Sequence, residues 1–211
     1  MILDERGGFY NLSPMPSEES LDKFYTEYYF LHYKGKSNSI VIDRDLEHYK
    51  LLVDKFPDFN KKEKKVLNFG AGHGGISFLL HAHGHDITNV EPSGLSTFFK
   101  ERWNWAKKID EVENKFDLVY SSHSMEHVHD IKKLLSKFKK ISDDNTIFLI
   151  ETPSADHPVN QEILFPHTYV FNQTFYKNTF KKIFYLSNVG PKLREKLGVS
   201  VMCIAKNIDI N

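Results

Sequence analysis

Cysteine is nearly missing from this sequence. Cys203 is the single one among 211 residues, so no intramolecular disulfide can form and a reducing, cytoplasmic setting is expected. No apolar run reaches the roughly 20 residues of a membrane-spanning helix, and the first residues carry no secretory pattern. A charge bias is missing too: 28 basic residues balance 28 acidic ones. Without a basic stripe interleaved with aromatics, neither nucleic acid nor an anionic membrane is an expected partner. There is no internal repeat and no low-complexity tract, and nothing in the sequence bears on oligomeric state. Arginine is scarce beside lysine, while Asn, Ile, Phe and Tyr are plentiful, a composition typical of AT-rich bacterial genes.

What is present is ordinary globular material, 40% hydrophobic and 27% charged, enough for one domain with a sizeable core. Two helices are expected early. "SEESLDKFYTEYYFLHY" has Ser17 as N-cap, acids in the first turn, and Leu21, Phe24, Tyr25 and Tyr28 on one face. The second helix covers residues 43–55 with Leu46, Tyr49, Leu52 and Val53 inward. They make residues 1–60 an N-terminal helical cap on a core of residues 61–211. "KKEKK" (61–65) reads as a solvated connector.

From there strands and helices alternate: "KVLNFG", "GGISFLLHAHG", "DITNVEP", "SGLSTFFKERW", "FDLVYSS", "DIKKLLSKFKKI" and "NTIFLIETP". That alternation predicts a parallel sheet with helices on both faces. A helix is expected near residues 174–184. The apolar "VSVMCIA" then predicts a final strand, placed at the far edge of the sheet.

In "NFGAGHGG", Gly70, Gly72 and Gly75 form G-x-G-x-x-G between a strand and a helix. Absent Cβ atoms let the backbone turn sharply and approach a ligand, and the helix start offers unpaired N–H groups. Glu91, 19 residues after Gly72, ends the next strand, where a carboxylate can accept both ribose hydroxyls. An adenosine-containing cofactor is therefore expected. A nicotinamide dehydrogenase would share this apparatus, but commonly starts with its glycine loop rather than with two helices.

The stretch "FDLVYSSHSMEHVHDIKKLLSKFKKISDDNTIFLIETPS", with Glu126-His127-Val128, resembles the corresponding strand–loop–strand of class I S-adenosylmethionine (SAM) methyltransferases. The Glu-His-Val loop is typical of the branch that includes ubiquinone-type enzymes and many sugar and natural-product methyltransferases. "VLNFGAGHGG", "VEPS" and "PHTYVFNQTFYKNTF" are similar to its other motifs, in order. The resemblance implies a Rossmann-like seven-stranded, mostly parallel sheet with an antiparallel last strand. It also implies SAM lying across the strand ends, held by Asn68, Gly70, Ala71, Gly72, Glu91, Pro92, Ser121 and Ser122. The family often has an acid where this chain has Asn68, whose hydrogen bond to the SAM ammonium lacks charge assistance.

The implied activity is methyl transfer to a small polar acceptor at oxygen, such as a sugar, nucleotide-linked sugar or related intermediate of a bacterial surface-glycan or secondary pathway. The alternatives are an N- or C-methyltransferase of the same fold and a non-catalytic nucleotide-binding domain.

A hydroxyl acceptor must lose a proton, so a base is needed. Imidazole titrates near working pH. The resemblance implies that His123 follows the strand end beside the methyl and that His167 lies in a segment folded over the acceptor. These two are therefore the candidates, with Tyr25 and Tyr169 lining the acceptor pocket. His123, Glu126 and His127 have a spacing that permits a divalent metal, though none is expected; packing is the third reading for them. His129 reads as solvated, and His81, His83 and His85 as cap and surface residues.

Overall fold

The computed structural model describes residues 2–29, 39–93, 101–156, 165–189 and 199–209. The chain opens with a hairpin of β1 (Ile2–Asp4) and β2 (Phe9–Asn11). Helix α1 (Glu18–Lys23) follows, capped by Ser17, whose Oγ accepts from Ser20 N at 3.1 Å. It runs on as a wider π-helical turn over Phe24–Tyr29. The change of pitch re-registers the aromatic side chains. Tyr25 and Tyr29 reach the cavity described below, whereas Tyr28, expected inward, is 50% exposed.

Helix α2 (Ser39–Lys55) is also turned differently from its apolar pattern. Asp45, His48 and Leu52 are buried, and Leu46 is exposed. Asp45 and His48 displace it because they have polar partners inside the fold, which hydrophobic periodicity does not count.

The alternating segment then gives β3 (Lys65–Phe69), α3 (Gly75–Ala82), β4 (Asp86–Val90), β5 (Asn104–Ala106) and β6 (Leu118–Ser122). It continues with α4 (Ile131–Lys140), β7 (Ile147–Pro153), β8 (Tyr169–Phe171), α5 (Gln173–Thr179), β9 (Phe180–Val189) and β10 (Ser200–Ile208). The helix expected over residues 93–103 falls largely outside the described residues.

Seven strands make one sheet in the order β5-β4-β3-β6-β7-β10-β9. It is parallel except for β10, which runs antiparallel to both β7 and β9. The sheet and its helices match the expected fold class, with three corrections. First, β10 is not the edge strand; β9 is. The apolar run Val201–Ala205 is fully buried and needs cover on both faces, which an interior position provides. Second, α5 stops at Thr179, and Phe180 begins a strand rich in aromatic and branched residues. Third, the N-terminal region is not wholly helical: β1 and β2 join β8 in a small three-stranded sheet.

Side chains alternate across the large sheet. Leu67, Val119, Phe148 and Ile150 pack with Leu134 and Phe138 of α4. Val66, Leu118, Tyr120 and Leu149 pack with Leu52 of α2 and Leu80 of α3 on the opposite face. Burial on both faces holds the strand ends rigidly, and the site is built on those ends.

Candidate active site

Strand β3 pairs with β4 on one side and β6 on the other. The chain therefore winds away in both directions from β3, and a crevice opens beyond the carboxyl ends of these strands. The loops after β3 and β6 meet there. A cavity of about 870 Å³ fills the crevice, lined among others by Asn68, Gly70, Gly72, Glu91, Glu126 and His167.

The glycine loop is hung from β4, because Gly70 N and Ala71 N both donate to Val90 O at 2.8 and 3.1 Å. Gly70 has φ +74°, and a Cβ there would lie 1.9 Å from Ser124 Oγ. That hydroxyl is pinned over the loop by donating to Ser122 O (3.2 Å) and Gly70 O (3.4 Å). We expect Gly70→Ala to cost about 2–4 kcal/mol from the left-handed backbone plus the clash. Denaturant unfolding should show the loss, with part of it recovered in Gly70→Ala/Ser124→Gly. Gly72, at φ +52°, has open space beside it and leaves its backbone accessible.

Glu91 is buried, with Oε2 accepting from Gly72 N (2.7 Å) and Oε1 from Ser93 N (2.9 Å). Each oxygen keeps a lone pair for a ligand, which suits a vicinal diol. Asn68 is held by a relay in which its Nδ2 donates to Ser77 Oγ (2.8 Å) and Ser77 Oγ donates to Asn89 Oδ1 (2.6 Å). Its Oδ1 is buried with no hydrogen-bond partner among the described residues.

Beyond β6 the backbone takes a left-handed turn at His123, φ +51°, a conformation that costs a non-glycine residue energy and is concentrated at functional sites. The turn drops the His123 ring between two buried carboxylates, 3.5 Å from Glu126 Oε1 and 3.5 Å from Glu151 Oε2. Burial alone would favour neutral imidazole, but Glu151 and Glu126 outweigh it and raise the pKa to about 9. His123 is thus a cation at neutral pH and cannot accept a proton, contrary to its expected role as base.

His127 behaves oppositely. Burial, only partly countered by Glu126, brings its pKa down to about 4, so the ring is neutral. Its Nδ1–H donates to Pro166 O at 3.3 Å, which leaves Nε2 an acceptor, 3.7 Å from Glu126 Oε1. Glu126 is fully buried, and neither carboxylate oxygen has a hydrogen-bond partner among the described residues. Burial favours its neutral form, but the imidazoles of His127 and His123 prevail and hold it below the usual carboxylate range.

His167 comes from far along the chain. Its neighbour Thr168 donates through N (2.7 Å) and Oγ1 (2.8 Å) to Glu126 O, and Leu12 N donates to Thr168 O. The small sheet thus fixes His167 beside the Glu-His-Val loop, with its ring 4.8 Å from that of His127. Ligand atoms of Glu126, His127 and His167 lie within 4.8 Å of one another, close enough to hold a divalent cation. His123 is not in that group.

The other expected residues divide. Ala71, Pro92, Ser122 and Tyr25 line the cavity. Ser121 does not; its Oγ is buried in the interior. Tyr169 is core, stacked on Phe171 and donating to His129 O at 3.2 Å. His129 is tied to Pro16 O (2.9 Å). His85 is buried rather than superficial, bonded to Lys64 N and Asn60 Oδ1, while His83 stacks on Tyr49. Arg44 and Asp45 of α2 line the cavity and were not anticipated. The sequence carried no signal for them, because the apolar pattern of that helix turned Leu46 inward instead.

Residues 42–185 match a family model described as "Methyltransferase domain". A curated "Uncharacterized methyltransferase" from Staphylococcus carnosus (strain TM300) is 22% identical over 161 residues, 69% of this chain and 74% of that protein. Among solved structures, magnesium protoporphyrin IX methyltransferase from Synechocystis PCC 6803, with bound S-adenosylhomocysteine, superposes with a TM-score of 0.65 at 13% identity, covering 90% of this chain and 99% of that one. The 1,6-didemethyltoxoflavin-N1-methyltransferase of Burkholderia thailandensis gives 0.62 at 17%, covering 85% and 86%. At these identities the structural likeness carries the fold alone.

Proposed function

Because this chain belongs to the methyltransferase family whose model it matches over residues 42–185, we propose that it methylates an oxygen of a small polar acceptor from SAM, with Glu126 receiving the acceptor's proton. SAM, when bound, supplies a methyl group made electrophilic by its sulfonium. The residues present fit it. Gly72 leaves open space beside its backbone, Asn68 Oδ1 offers a buried acceptor, Glu91 has two lone pairs for the ribose hydroxyls, and Pro92 lines the cavity where it would border the adenine.

The observation that carries the proposal is the Glu126 carboxylate: buried in the wall of the cavity, ionised, and without a hydrogen-bond partner on either oxygen among the described residues. Facing His127 Nε2, it makes a place where two acceptors meet and a donor is required. An acceptor hydroxyl is such a donor. Its acidity rises as the new C–O bond forms, so a carboxylate of low basicity suffices to take the proton. His123 keeps Glu126 ionised and compensates its burial. His167 and Tyr25 flank the same end, where a sugar or nucleotide-linked sugar would present several hydroxyls to Glu126, His127 and His167.

The test is mass spectrometry of a small-metabolite extract incubated with protein and SAM. An enzyme-dependent product one methyl heavier, with fragmentation placing the methyl on oxygen, is expected. Methyl on nitrogen would overturn the oxygen assignment. Turnover lost on chelation and restored by an added divalent cation would make Glu126, His127 and His167 metal ligands rather than the proton-accepting set.

A further inference from the structure

Two buried side-chain oxygens without a hydrogen-bond partner among the described residues belong to residues that line the cavity. Asn68 Oδ1 is one, its amide oriented by the bond from Nδ2 to Ser77 Oγ, so that the oxygen is left over. Asp45 Oδ2 is the other. It has no hydrogen-bond partner among the described residues, its residue is 5% exposed, and it lies 2.0 Å from where a Cβ on Gly75 would be. Only a glycine at residue 75 leaves room for this carboxylate against the start of the helix. The other oxygen, Oδ1, accepts from Tyr120 Oη at 3.3 Å, and that bond sets the direction of the group. Arg44, the preceding residue, is drawn the other way, with its Nε 3.9 Å from Glu151 Oε2. Asp45 and Asn68 both line the cavity at its glycine-loop end.

A ligand group that completes this arrangement must bring at least two donors on a compact head, and positive charge to balance a desolvated carboxylate. A primary ammonium has three N–H donors and that charge. At this end of the cavity Glu91 is already bonded to Gly72 and Ser93, and Asn68 is neutral. We propose that Asp45 receives the ammonium at the amino-acid end of SAM and shares it with Asn68 Oδ1, an assignment that rests on the methyltransferase reading above. The negative charge for the amino group then comes from the helix before the sheet rather than from the strand beneath the glycine loop.

The test is calorimetric binding of two ligands to the wild type and to Asp45→Asn. S-adenosylhomocysteine carries the ammonium; 5′-methylthioadenosine has the same nucleoside and thioether without the amino-acid end. Asp45→Asn should weaken S-adenosylhomocysteine roughly 10- to 100-fold, the range for losing a charge-assisted hydrogen bond, and leave 5′-methylthioadenosine unchanged. If the wild type binds both ligands and Asp45→Asn leaves their affinity ratio unaltered, the Asp45 assignment falls and the methyltransferase reading stands. Equal weakening of both ligands also overturns it, by showing only a loss of fold. A wild type that binds neither ligand removes the methyltransferase reading and this assignment with it.

Discussion

Glu126→Gln should lower turnover by roughly 100- to 10,000-fold, the contribution of a positioned proton acceptor, while affinity for S-adenosylhomocysteine stays near that of the wild type. Glutamine keeps the shape and one acceptor oxygen but cannot take the proton. Steady-state kinetics on the acceptor found by mass spectrometry, with calorimetry for the cofactor product, would check both halves. Intact turnover would remove Glu126 from the chemistry. The contrast is His123→Asn. Because His123 is protonated between Glu126 and Glu151, its loss should act through the state of Glu126 and displace the acidic limb of the pH–rate profile to higher pH. A base at His123 would instead remove the pH-dependent step itself.

The second large effect is on stability. Glu151 is buried on β7 and gathers Ser122 Oγ (2.9 Å), His48 Nε2 (3.3 Å), His123 Nε2 (3.5 Å) and Arg44 Nε (3.9 Å). Burial would raise its pKa, but His123 and His48 reverse this and hold it well below the carboxylate range. Glu151→Ala should cost about 2–4 kcal/mol, because it leaves the partly buried His123 and Arg44 cations without their counter-charge, a large part of the ~5–15 kcal/mol that keeps a domain folded. Urea midpoints at pH 7 would measure it; a loss under 1 kcal/mol would mean that the cations are solvated after all.

The same pair sets an alkaline limit. The pKa of His123 is raised from 6.5 to about 9, so its stabilisation is complete below about pH 6.5 and disappears as pH rises through about 9. Glu151→Gln should shift that loss to lower pH, since one of the two carboxylates holding the proton is gone. A stability profile flat between pH 7 and 10 would contradict the His123 placement.

Much of this protein follows from residues close together in the chain. The strand–helix alternation, the turn at "NFGAGHGG" and the carboxylate at Glu91 depend on side-chain periodicity, missing Cβ atoms and a short reach across neighbouring strand ends, all of which are local. The Ser17 cap was legible for the same reason. The tertiary structure decided what depends on distant partners. Tyr169 is core and not pocket because β2 and β8 pair, and β10 is interior because β9 closes the edge beyond it. Leu46 is exposed because Asp45 and His48 find Tyr120 and Glu151 inside the fold. Above all, His123 and His127, four residues apart and alike on paper, have opposite charge states. Glu151 approaches one ring and the Pro166–His167 segment approaches the other, and burial makes those neighbours decisive.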